Sequence, residues 1–154
     1  MSKKKMEFPG LQSLLVSALG DALAPTEGGF LDLMSDDISF EFPYALPGSV
    51  TELTGKVALA DYLPRVGELI TVETLILLRA IVAPDKRSAV LEFAAKAYAN
   101  ETGARYDQDY ISVIELRDGR ISRYRDYWNP QVLIAALGDA AIIHATPKSQ
   151  LADR

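Results

Sequence analysis

The stretch of this sequence best equipped for chemistry is GRISRYRDYWNP, Gly119 to Pro130. Its residues alternate as a strand does, so Tyr124, Asp126 and Trp128 share one face. Burying a carboxylate between large aromatics disfavours its ionised form and raises its pKa. An acid poised that way can carry protons near neutral pH. A tyrosine hydroxyl or an arginine could equally satisfy the same carboxylate, leaving it a structural role. Gln108, Tyr110 and Ser112 alternate in the preceding strand. Whether they join Asp126 on one wall depends on the hairpin, because a one-residue slip inverts a strand. A two-residue Asp118-Gly119 loop sets Asp126 opposite Ile111. A three-residue Arg117-Asp118-Gly119 loop, with Gly119 left-handed in a bulge, sets Asp126 opposite Tyr110, Tyr124 opposite Ser112 and Trp128 opposite Gln108. In that register Asp107, Asp109, Glu115, Arg123, Arg125 and Tyr127 form a charge-laced reverse face. The residues alone leave both loops open.

Other chemistries lack their parts. There is no cysteine, which removes disulfides, zinc fingers and thiol nucleophiles. One histidine, His144, and scattered acids show no metal-ligand spacing, so no metal is expected. EGGF has neither the length nor the lysine of a phosphate loop. A formal net charge of −5 argues against general nucleic-acid binding, which needs a basic surface. Lys3 to Lys5 read as part of a solvated, flexible basic tail over residues 1–8. No apolar run reaches about 18 residues, and the start MSKKKMEFPG lacks a signal-peptide core, so a cytoplasmic protein without a membrane partner is expected.

The elements that must position these residues are legible from their periods. A chain of 154 residues suits one domain, here with a core over about 10–138 and a C-terminal extension over 139–154. Pro9 can start a helix, and Leu11, Leu14, Leu15, Ala18, Leu19, Ala22 and Leu23 recur at helical spacing. Phe30 to Met34 suggests a short second helix. Ile38, Phe40 and Phe42 alternate with polar residues as in a half-buried strand. The helical period returns from Lys56 to Val66, with Pro64 set against a longer run. Strands are expected over roughly 70–83, 88–99, 105–117 and 120–128, separated by PDKR, NETG and RDG, all turn chemistry. A short helix follows over 131–138. Helices first and a long meander afterwards is an α+β order, whose sheet must bury one face against the helices. Phe40, Phe42, Tyr44 and Tyr62 are expected in the core, with Tyr62 the best placed of them to act as a donor from a helix.

The order FEFPYALPG, LTGKVALADYL and GARYDQDYISVIELRDGRISRYRDYWNP resembles the SnoaL-like branch of the nuclear transport factor 2-like superfamily. The resemblance spans about residues 10–138, and its most specific part is Y-x-Q-x-Y followed by D-G-x-I-x-x-Y-R-D-Y-W-N-P. It implies a cone: a strongly curved antiparallel sheet wrapped around N-terminal helices, with an internal pocket, often in a homodimer. It favours the three-residue loop. It also implies that Asp126 occupies a pocket-carboxylate position, shared with limonene-epoxide-hydrolase-like members and with the phenazine-biosynthesis A/B family.

The same resemblance shows what is missing. The Arg-x-Asp pair of the epoxide hydrolases falls on Phe93 and Ala95, so that mechanism lacks its positive partner and second carboxylate. The pocket histidine of the phenazine family has no counterpart inside the resemblance. No aspartate stands where a ketosteroid isomerase would need its base. The expectation is therefore a pocket for a compact, largely apolar molecule, lined by Tyr110, Tyr124, Trp128, Gln108, Ser112, Phe93, Tyr62 and Phe42. Asp126 would be the acid/base group of a cofactor-independent isomerase, cyclase, dehydratase or hydrolase. The alternative is a non-catalytic ligand-binding or dimerisation module of the same fold. A homodimer through the outer sheet face is expected in either case.

Overall fold

The computed structural model describes residues 6–143, so Lys3 to Lys5, His144 and most of the C-terminal extension lie outside the described residues. The chain runs β1 (Met6–Phe8), α1 (Leu11–Leu19), β2 (Met34–Glu41), β3 (Glu52–Thr54), α2 (Lys56–Leu69), β4 (Ile70–Val82), β5 (Ser88–Ala99), β6 (Gln108–Arg117), β7 (Arg120–Trp128) and α3 (Pro130–Leu137), with 3₁₀ turns at Gly20–Ala22, Phe30–Leu33 and Gly138–Ala141. The strands form one sheet in the order β1-β4-β5-β6-β7-β2-β3. Neighbours pair antiparallel except β2 and β7, which run parallel, so the sheet is mixed and remains open at β1 and β3. No helix among the described residues is long and apolar enough to cross a membrane.

Helices and sheet share one core. Leu14, Leu15 and Leu19 of α1 and Leu59 and Tyr62 of α2 meet Phe40, Leu75, Leu91, Phe93, Ile114 and Tyr124 from the inner face of the sheet. A smaller cluster joins Ile70, Ala97 and Tyr106 to Leu133, Ala136 and Ala141, and Trp128 packs against both clusters. Register shifts in β4 between Val72 and Thr74 and between Leu77 and Arg79 bend the longest strand, as bulges do.

Several sequence expectations need correction. Met6–Phe8 pair with Leu75–Leu77 as an edge strand and are not part of a flexible tail. The short β3 has no alternation long enough to read. Pro64 does not end α2, which continues to Leu69. A proline removes one hydrogen bond, and here the buried Leu59 and Tyr62 keep the helix seated. Tyr44 is not core: it is 57% exposed and meets Tyr127 edge-on. At the C-terminal end Ile143 packs on the core, donating its N–H to the Ser49 hydroxyl at 2.8 Å.

The β6–β7 hairpin differs most instructively. Arg117 pairs with Arg120 across a two-residue Asp118-Gly119 turn, not a three-residue loop. Asp118 and Gly119 have φ of 53° and 75°, the pair of left-handed conformations that a type I′ turn demands. That turn alone would put Asp126 opposite Ile111. Leu116 pairs with Ile121 but Glu115 pairs with Arg123, so Ser122 is an extra residue in β7. Its hydroxyl donates to the Glu115 carbonyl at 3.2 Å. The bulge shifts the register by one, and Asp126 comes to lie opposite Ser112, Tyr124 opposite Ile114 and Trp128 opposite Tyr110. The expected face is correct; the expected partners are each displaced by two residues.

Candidate active site

Three strands place the site in rows. Phe93, Tyr110 and Trp128 form one row across β5, β6 and β7. Leu91, Ser112 and Asp126 form the next, and Ala89, Ile114 and Tyr124 the third, which continues to Phe40 on β2. Stacking stiffens this wall: the rings of Phe93 and Tyr110 lie 5.1 Å apart and those of Phe40 and Tyr124 4.4 Å apart, both nearly parallel.

A cavity of about 190 Å³ lies against these rows. Phe93, Ala95, Tyr110, Tyr124 and Asp126 line it from the sheet, Val72 and Leu75 from β4, and Gly10 and Leu11 from the start of α1. Among the described residues the lining contains no lysine or arginine, and Asp126 is the one charged group. Phe93 and Ala95, where the resemblance puts the absent Arg-x-Asp pair, both reach the cavity.

Asp126 is half-buried, with its remaining solvent access on the cavity side of an apolar enclosure. The nearest polar side chains are occupied elsewhere. Ser112 and Tyr124 share a hydroxyl–hydroxyl hydrogen bond of 2.6 Å. No described residue donates to Asp126, and burial alone pushes its carboxyl up to about 7. The four nearby tyrosines register its charge. Burial, and then the Asp126 charge, push the hydroxyl pKa of Tyr62 and Tyr124 up. In Tyr110 burial, the Tyr106 hydroxyl and Asp126 act in the same direction. Tyr106 is raised chiefly by burial, with a smaller contribution from Asp126. These hydroxyls therefore stay protonated and neutral in the physiological range.

The other sequence candidates lie around this cavity without lining it. Gln108 is a latch: its amide nitrogen donates to the Asn129 carbonyl at 2.9 Å and the Tyr106 hydroxyl at 3.3 Å, while its oxygen accepts from the Asn129 N–H at 3.0 Å. That latch holds the entry to α3, which Asn129 caps by accepting from Gln131 N–H at 2.9 Å. Phe42 packs between Phe40 and Tyr62. Trp128 joins the two core clusters. Tyr106 opens the Y-x-Q-x-Y motif but is not among the expected site residues, although extending the Gln108–Tyr110–Ser112 alternation one step back reaches it. Leu11, Val72 and Leu75 carry no signal beyond ordinary amphipathic spacing.

The reverse face is charged as the alternation suggests. Arg123 and Arg125 each place a guanidinium nitrogen 2.9 Å from the Glu41 carboxylate, and Arg123 also reaches Glu115 at 3.5 Å. The Arg123 hydrogen bond, followed by that of Arg125, holds the Glu41 carboxyl below its ordinary range. Glu92 pairs with Arg79 at 3.1 Å.

Comparison with known proteins decides the family. The SnoaL-like domain model matches residues 24–124. The chain belongs to the SnoaL-like family. It is 42% identical to the uncharacterized protein YesE of Bacillus subtilis over 107 residues, which cover 70% of this chain and 73% of YesE. An uncharacterized PhzA/B-like protein of Pseudomonas aeruginosa is 38% identical over 111 residues, covering 71% of this chain and 77% of its own length. Among solved structures, a "Putative Isomerase" from Bacillus subtilis aligns with a TM-score of 0.68 at 35% identity, over 82% of this chain and 86% of that one. An NTF2-like protein of unknown function from Burkholderia pseudomallei aligns with a TM-score of 0.63 at 15% identity, over 70% of this chain and 82% of that one, and shares the fold. This SnoaL-like chain thus has the NTF2-like α+β architecture that its sequence resembled.

Proposed function

We propose that this SnoaL-like protein binds a compact, largely apolar molecule in the Asp126 cavity and uses Asp126 as the proton carrier of a cofactor-independent reaction. Isomerisation, cyclisation, dehydration and hydrolysis all fit one mobile proton held in an apolar site. The observation that carries the reading is a carboxylate in the lining of a cavity, without a hydrogen-bond partner among the described residues and poised at about 7, where it can both accept and release a proton near neutrality. Its 190 Å³ suits a single ring, since a cavity of about 150 Å³ takes benzene. The likeness to a Bacillus subtilis "Putative Isomerase" at 35% identity supports the same class of chemistry.

The test is a crystallographic fragment screen, followed by turnover measurements on the captured molecules. Density is expected in the cavity between Phe93, Tyr110 and Tyr124. Asp126→Asn should abolish turnover while leaving the affinity for uncharged ligands largely intact. An unchanged rate rejects the catalytic role, and a cavity that takes no fragment rejects the pocket.

A second reading, self-association through the outer sheet face, has its own support. Leu78, Ile81 and Ile111 are exposed by 58%, 51% and 45% on the sheet strands β4 and β6. Exposed apolar side chains grouped on one sheet suit a second copy of this chain. Sedimentation velocity tests it, with a monomer at all concentrations counting against it.

A further inference from the structure

The cavity has a definite electrostatic sign. Among the described residues its lining holds one carboxylate and no lysine or arginine to balance it. The walls beside that carboxylate include the aromatic rings of Phe93, Tyr110 and Tyr124, with Phe93 stacked on Tyr110 and Tyr124 backed by Phe40. Aromatic rings present negative faces, and cations beside them are stabilised in proportion to how far they are desolvated. No described residue hydrogen-bonds to Asp126, which leaves its oxygens open to a donor group on a ligand in the cavity. A carboxylate ligand would face uncompensated repulsion, and a neutral alcohol would leave the ionised form of Asp126 without a counter-charge.

We propose that the ligand is a compact hydrophobic amine, its ammonium group held by the Asp126 carboxylate beside Phe93, Tyr110 and Tyr124, and its apolar body packed against Leu11 and Leu75. This rests on the cavity reading above and deepens it by fixing the charge of the substrate. With the ammonium bound, Asp126 stays ionised, so its part in any proton transfer is that of the acceptor.

The groups facing Asp126 simplify its titration. Tyr62 on α2, Tyr106 ahead of β6, Tyr110 on β6 and Tyr124 on β7 are all shifted upward and stay neutral. Leu11 of α1, Leu75 of β4 and Phe93 of β5 bring no charge, and the Arg65 charge on α2 acts on Tyr62. Between pH 6 and 8 the ionised fraction of free Asp126 therefore controls amine binding.

The experiment compares cyclohexylamine, cyclohexanol and cyclohexanecarboxylate by isothermal titration calorimetry on the full chain and on Asp126→Asn. An alkylammonium titrates near the lysine value of about 10.4 and stays charged throughout. In the wild type at pH 8 the amine should bind at least tenfold more tightly than the alcohol, and the carboxylate should not bind. Amine affinity should fall roughly tenfold from pH 8 to pH 6, following ionisation of a group poised at about 7. Asp126→Asn should lose the preference for the amine and keep the alcohol. Equal affinities for amine and alcohol in the wild type, or an amine preference that survives in Asp126→Asn, would overturn the proposal and leave the cavity reading standing. Failure of all three probes to bind would remove both.

Discussion

Replacing Asp126 by asparagine should stabilise the protein in a way that depends on pH with a definite sign. The folded carboxyl is pushed from its ordinary value of 3.8 up to about 7 by burial. Below 3.8 the folded and unfolded chains both hold the proton, and the residue carries no charge penalty. Between the two values the folded chain holds a proton that the unfolded chain has released, so rising pH favours unfolding by up to about 1.4 kcal/mol per pH unit. Above 7 the penalty is constant. The interval of roughly three pH units sets an upper figure of about 4 kcal/mol, and solvent access through the cavity brings it to about 2–4 kcal/mol. Asparagine keeps the shape and does not titrate. Its unpaired amide adds a cost that does not vary with pH over this range.

Urea unfolding of both proteins at half-unit steps from pH 4 to 8.5 reads the difference directly. The asparagine variant should gain on the wild type as pH rises, by about 2–4 kcal/mol between pH 4 and pH 8, and level off above pH 7.5. Parallel stability curves would show that Asp126 is solvated or paired in solution. An advantage that grows toward acid would reverse the sign and refute the placement of the carboxyl in an apolar wall.

Three further outcomes follow from the same geometry. Gly119→Ala should cost about 2–4 kcal/mol in a urea titration, because Gly119 has a φ of 75° and an added Cβ would lie 2.6 Å from the Ala24 Cβ. A loss under 0.5 kcal/mol would mean the hairpin tip stands clear of that loop. Gln108→Leu should destabilise by about 2–4 kcal/mol by orphaning the Asn129 N–H and carbonyl, and should speed amide hydrogen exchange at the start of α3; unchanged exchange there would reject the latch. Arg123→Glu together with Arg125→Glu sets two new acids beside Glu41 and Glu115 on the outer face, so any self-association should weaken in sedimentation velocity. A dimer unmoved by both changes would place the interface elsewhere.

Much of the architecture was legible because period and turn chemistry are local. Strands β4, β5 and β7 and helices α2 and α3 appear close to where alternation, helical spacing, Asn129-Pro130 and Gly138 put them. What failed to show was made by partners distant in sequence. Met6–Phe8 is a strand only because β4 offers an edge, and β3 is one only because β2 does. The parallel run of β2 beside β7 likewise has no signature in either strand alone. In the candidate site, Asp126, Tyr110, Tyr124 and Phe93 were identifiable from the sequence as pocket candidates. Gln108 and Ser112 looked like pocket polar groups, yet their hydrogen bonds go to Asn129 and Tyr124.

The hairpin shows where the division falls. The sequence by itself determined that Tyr124, Asp126 and Trp128 share a face, and it left the two-residue Asp118-Gly119 turn and the three-residue Arg117-Asp118-Gly119 loop both open. It could not say which face, because a period of two is silent about an unpaired residue. Tertiary structure decided that at Ser122: one bulged residue in β7 offsets the two-residue turn and returns Asp126 to the inner wall opposite Ser112. The turn itself is held from outside the hairpin, by Arg120 donating to the Ala24 carbonyl at 2.8 Å and by the Ala24 N–H donating to the Gly119 carbonyl at 2.9 Å. The chemistry of Asp126 therefore rests on a register that its own strand does not encode.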